Sequence, residues 1–226
     1  DVVEPVPRPS FSYPAFVGIT LTAGMSLADT AAQNGAMGRK AFAAHEKVLW
    51  TKYKLKAIRA KSDISPIGIG GASAVIARCA LPVGIGKVGG IIMFTILNDD
   101  NVPPLTPILT LNVMGAVIDL PGNEIHFANC GGAKTTMTTV PTGHRQHSLL
   151  EFPERGWRPP PSLAHHAWKA TPGEQFVSLL DPSSTVGSTI SYLMTSGMTV
   201  SGVADSAPAL QHTEHGASTS VSGVAV

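Results

Sequence analysis

The chain has 226 residues, with 16 Lys and Arg against 15 Asp and Glu and a formal net charge of +1. Only 14% of residues are charged, and the near balance gives no reason to expect nucleic acid or an anionic membrane as partner. The length suits one domain with extensions. Its 23 Gly, 18 Pro and 6% aromatic residues point to many turns and short strands, hence a mainly β fold.

Residues 1–13 form an extended N-terminal arm, since Pro5, Pro7 and Pro9, with Pro14 just beyond, keep them from regular pairing. The arm lacks the basic-then-apolar order of a signal peptide and does not begin with Met, so the chain reads as a fragment or processed product. Phe16–Leu21 is β-branched and apolar and predicts a strand, followed by a turn at Ala23-Gly24. Met25–Ala28 predicts a second short strand that ends in Asp29-Thr30-Ala31.

From Arg39 to about Lys56, Phe42, Leu49 and Tyr53 fall at helical spacing while Lys40, Glu46, Lys47, Lys52 and Lys54 take other positions, which predicts an amphipathic helix with its basic residues as a solvated face. Ile67-Gly68-Ile69-Gly70-Gly71 then opens a glycine-rich stretch. It leads into Ala74–Val83 and, after Gly84-Ile85-Gly86, into the apolar run Gly90–Leu97. Pro103, Pro104 and Pro107 argue against regular pairing in the next segment. Ile108–Met114 predicts a short helix closed by Gly115, and Ala116–Phe127 a hairpin turning at Pro121-Gly122-Asn123. Ser148–Phe152 adds a candidate strand. Residues 156–226 are rich in Pro, Ser, Thr, Gly and Ala and predict a low-complexity, largely unpacked tail, with short local elements at Phe176–Leu180 and Ile190–Met194.

Gly84-Ile85-Gly86-Lys87-Val88-Gly89 fits a dinucleotide-binding glycine pattern, but it opens onto strand residues instead of the helix that a pyrophosphate needs. A hairpin turn is the better reading. His144 and His147, three apart, and His165-His166 sit in Pro- and Gly-rich surroundings and read as exposed loop histidines, so no metal site is expected. Cys79 and Cys130 belong to no paired motif and read as partly buried thiols. Asp205-Ser206-Ala207 echoes Asp29-Thr30-Ala31, but only 19 residues follow it, too few for a second lobe. Asp29 alone reads as a turn residue or an N-cap.

The order of segments changes that reading. "SLADTAAQNGAMG", "PIGIGGAS" and "PILTLNVMGAVIDLPGNEIHF", within residues 14–130, resemble the retropepsin-like aspartic proteases of retroviral and retrotransposon polyproteins. The resemblance implies a closed β-barrel with one or two helices over residues 14–155. It makes Asp29 the catalytic carboxylate, with Thr30 bracing the turn and Ala31 lining the approach to substrate. Ile67, Gly68, Ile69, Gly70 and Gly71 become the flap that closes over a bound peptide. Ala31 stands where Gly is commoner in that family; if the turn requires a positive φ there, Ala costs roughly 1 kcal/mol. The implied activity is an endopeptidase acting on extended peptides, such as a polyprotein, without metal or other cofactor. Its water would be activated by an Asp pair formed across a homodimer. Two other readings stay open: a catalytically silent dimerisation or peptide-binding module on the same fold, and a purely structural β domain.

Overall fold

The computed structural model describes residues 22–60 and 74–181, with the backbone of 189–190 and 198–200. The strand expected at 16–21, the segment 67–73 and the side chains beyond Asp181 lie outside the described residues. Among the described residues the fold is mainly β, with two α-helices.

The centre is a long hairpin of β4 (Val75–Ile85) and β5 (Val88–Leu97), joined at Gly86-Lys87. Both turn residues have positive φ, 57° and 64°, the two-residue turn whose twist suits flanking strands. The hairpin reading of this glycine motif is therefore correct. Its strands read as continuous apolar runs because both faces are covered. Cys79, Leu81, Val83, Ile92, Phe94 and Ile96 enter one core, with Met37, Phe42, Met114 and Phe127. Ala80, Ile91 and Met93 enter a second core, with Leu49, Ile58, Trp157, Leu163 and Trp168.

Around the hairpin, β1 (Met25–Asp29), β2 (Gly35–Gly38), β3 (Ile58–Ala60), β6 (Leu105–Pro107), β10 (Thr138–Thr139) and β11 (Arg145–Ser148) extend the sheet. β12 (Thr189–Ile190) and β13 (Met198–Val200) complete it. The order is β10-β11-β1-β6-β2-β5-β4-β3-β12, with β13 on β5 opposite Gly90–Ile92, where β2 does not reach. β7 (Ala116–Asp119), β8 (Glu124–Phe127) and β9 (Ala133–Thr136) form a separate three-stranded sheet. Closure into a barrel would need the terminal strands to pair. β10 and β12 do not, so among the described residues the expected closed barrel is an open sheet.

Helix α1 (Arg39–Val48) continues into a wider turn over Leu49–Tyr53, ended by Lys54 at φ 55°. Its buried residues Phe42, His45, Glu46 and Leu49 fall at i, i+3, i+4 and i+7, one face toward the sheet. Glu46, which falls outside the apolar spacing of the sequence, is thus inside. Helix α2 (Ile108–Met114) ends at Gly115 with φ 65°, and β7–β8 form the hairpin that follows, both as the sequence predicts.

The unpacked tail does not begin at 156. Trp157 and Trp168 are 5% and 2% exposed, their rings edge-on at 5.4 Å. Trp157 Nε1 donates to the Gly90 carbonyl at 2.8 Å, and Trp168 Nε1 to Leu163 at 2.8 Å. Further on, the chain straps α1. Glu46 accepts from the Ser178 hydroxyl at 2.6 Å and the Leu179 N–H at 2.9 Å, while Lys56 pairs with Glu174 at 2.9 Å. Residues 176–180, expected as a local element, form no helix or strand within this strap. An irregular strap that buries single large side chains leaves no periodic signal.

Candidate functional site

Strand β6 lies between β1 and β2, although β1 and β2 are consecutive in sequence. It runs parallel to β1 (Leu27 opposite Leu105, Asp29 opposite Pro107) and antiparallel to β2 (Ala36 opposite Leu105). The prolines do not prevent this pairing. Pro104 contributes a carbonyl, which accepts from Leu27 N–H at 2.9 Å, and Pro107 is the last strand residue and caps α2. The loop 30–34 therefore meets the start of α2, where Ile108 N–H donates to the Ala32 carbonyl at 2.9 Å.

Asp29 sits at this crossing, half-buried, at the end of β1. Its Oδ1 accepts from the N–H groups of Ala31 at 2.9 Å and Ala32 at 3.2 Å. Asp is the residue for this turn because its short carboxylate reaches the backbone two and three residues on. Oδ2 accepts no hydrogen bond among the described residues. One oxygen is anchored and the other is open. Thr30 and Ala31 are exposed. Ala31 does not have a positive φ, so Ala in place of Gly carries no backbone strain here.

Beneath the turn lies a buried polar chain that links β1, β6 and β11. Ser26 Oγ is 2.8 Å from Thr106 Oγ1, which is 3.0 Å from His147 Nε2; His147 Nδ1 is 3.2 Å from the Ser148 carbonyl. All three side chains are fully buried. The Ser148 carbonyl only accepts, which places the proton of neutral His147 on Nδ1 and leaves Nε2 to accept from Thr106. Ser26 shares its hydrogen between Thr106 and the Pro104 carbonyl at 3.0 Å. His147 is therefore a core residue, not the exposed loop histidine expected. The signal was alternation: His147 and Leu149 point inward while their neighbours do not.

Burial pushes the imidazoles of His147 and of His45, on α1, down to about 4. The unfolded chain binds those protons near pH 6.5, so stability falls as pH drops from about 6.5 toward about 4. The loss approaches about 1.4 kcal/mol per pH unit for each histidine while a full proton separates the two states. Burial also raises the Glu46 carboxyl, which opposes this trend because the folded chain then holds the extra proton. Urea unfolding near pH 7 and near pH 5 should show lower stability at the acid value, less so in His147→Gln. Equal stability at both would contradict the assignment.

The proposed flap residues 67–71 lie outside the described residues. Among the described residues, His144 is exposed beside Thr142, the His165 and His166 rings lie 4.0 Å apart with a tilt of 38°, and no group of three His, Cys, Asp or Glu could hold a metal ion. Asp29, Thr30 and Ala31 line neither of the two described cavities. No protein-family model matches the chain, and no curated protein matches it.

Proposed function

We propose that this chain is one half of a homodimeric, retropepsin-like aspartic endopeptidase that cleaves extended peptides such as a polyprotein. The observation that carries this reading is Asp29, one oxygen tied down by two backbone N–H groups and the other open. It stands where the loop after β1 crosses the β6–α2 junction, so its position is set by three elements rather than by a loose loop.

One carboxylate activates water poorly. A second copy brings another Asp29 close, and two carboxylates near 3 Å cannot both ionise cheaply, so the pair holds one proton. The ionised member takes a proton from water as the protonated member hydrogen-bonds the scissile carbonyl. Thr30 and Ala31, exposed beside Asp29, meet the partner copy and the substrate. The flap 67–71 excludes water once the peptide is bound.

Sedimentation combined with a pepstatin-sensitive peptide cleavage assay tests the reading: a dimer that cleaves and is inhibited supports it. The alternative is a catalytically silent dimerisation or peptide-binding module on the same fold. A dimer that binds peptide without turnover would select it.

A further inference from the structure

The near balance of charge over the whole chain hides a local excess. Residues 39–59 hold seven of the 16 Lys and Arg and one acid, Glu46. The fold turns that acid inward: Glu46 is 4% exposed, on the face of α1 that also buries Phe42, His45 and Leu49. On the opposite face Lys40 and Lys47, two helical turns apart, are exposed. Lys52 on the wider turn and Lys54 at its end are exposed as well. These four lysines span about 20 Å of helix. They make no ion pair among the described residues.

Two acids flank the row, and each has its own cation. Asp100 is held by Arg39 at 3.0 Å at the start of α1, and Glu174 by Lys56 at 2.9 Å beyond its end. Asp100 also feels the charge of Lys40. Lys47, Lys52 and Lys54 are therefore the centre of the excess.

The residues between the lysines narrow the partner. Ala43, Ala44 and Thr51 are the other exposed positions from Lys40 to Lys54. They offer no large apolar side chain to anchor a protein or to enter a bilayer. Trp50 and Tyr53 are half-buried, packed on Phe176 at 5.7 Å and on Phe152 at 4.6 Å, so neither ring stands free to stack on an unpaired base. No Arg, Asn or Gln lies between Lys40 and Lys54 to read a base edge in two-pronged fashion. What is left is a row of point charges, which suits phosphates whose bases are paired and stacked away.

We propose that the exposed face of α1 binds the phosphate backbone of duplex nucleic acid, independently of sequence, through Lys40, Lys47, Lys52 and Lys54. The proposal does not rest on peptidase activity.

Fluorescence anisotropy with the full chain and a labelled duplex of about 25 base pairs, in about 50 mM salt, tests it. Saturable binding is expected below about 100 μM, with the logarithm of the association constant falling against that of salt at a slope of roughly −3. Lys47→Gln/Lys52→Gln should weaken binding about tenfold and flatten the slope to roughly −1.5. Lys47→Arg/Lys52→Arg, which keeps both charges, should bind like the wild type. The same loss of charge in Lys87→Gln/Lys134→Gln, on the β4–β5 turn and β9, should change affinity less than about threefold. The proposal is overturned if the duplex does not bind below about 100 μM, if the Lys47/Lys52 Gln pair leaves affinity and slope unchanged, if the Arg pair fails to bind, or if the Lys87/Lys134 pair weakens binding equally. Tighter binding of a single strand, of phosphatidylserine vesicles or of a Glu-rich peptide also overturns it.

Discussion

Asp29→Asn is expected to slow peptide hydrolysis by about 10²- to 10⁴-fold while leaving the unfolding midpoint unchanged. The substitution separates the turn-holding role of this side chain from its proposed catalytic one. An Asn carbonyl oxygen still accepts from Ala31 and Ala32, so the turn that Asp29 holds at 2.9 and 3.2 Å survives. What disappears is the ability of the open oxygen to take and return a proton. Asp29→Glu makes the complementary test: it keeps the carboxylate but adds a methylene, which breaks the turn geometry and moves the acid out of place. Both variants should be slow, and the Asn protein should stay as stable as the wild type. A drop in stability with little change in rate would assign Asp29 to the turn alone.

Trp168→Ala is expected to cost about 3–5 kcal/mol, a large share of the 5–15 kcal/mol typical of a domain. Trp168 is 2% exposed against Trp157, within the core that also holds Leu49, Ile91 and Met93. Removing the ring opens a cavity in the layer that covers one face of the central hairpin, beside Trp157, Leu163 and Leu49. It also removes the shorter of two hydrogen bonds to the Leu163 carbonyl, which keeps the His166 N–H at 3.2 Å. Urea unfolding should show the midpoint falling with little change in slope. A shift worth less than about 0.5 kcal/mol would mean the strap is not part of the folded unit.

Where the sequence is regular, the structure follows it. The β4–β5 hairpin, α2 with its glycine stop, the β7–β8 hairpin and the placement of Asp29 at a strand end were all readable from β-branched runs and turn residues. The misses have separate causes. β6 was hidden because prolines argue against pairing, yet a proline at a strand end keeps its carbonyl, and Pro104 uses it. Glu46 and His147 are polar residues whose burial depends on partners distant in sequence, Ser178 and Thr106. Pattern alone cannot supply such partners. The strap from Trp157 to Trp168 buries isolated aromatics between prolines and glycines, so composition suggested a tail where the chain in fact seals a core. The open sheet differs from the expected barrel because β7–β9 form their own sheet and the terminal strands stay apart.

The histidine effect and the proposed chemistry pull in opposite directions. An Asp pair that holds one proton works over a mildly acidic range. His45 and His147 make the fold less stable there. The activity profile should therefore fall on its acid side more steeply than carboxylate titration alone requires, and His147→Gln should soften that limb.

The most direct measurement is a mixing experiment between wild-type and Asp29→Asn subunits, refolded together at a fixed amount of wild type. If each site takes one Asp29 from each of two chains, a roughly tenfold excess of the variant should lower activity about tenfold, because most wild-type chains then face an Asn partner. Activity that stays constant as the variant is added would mean that a single chain suffices, and would contradict the shared-site account.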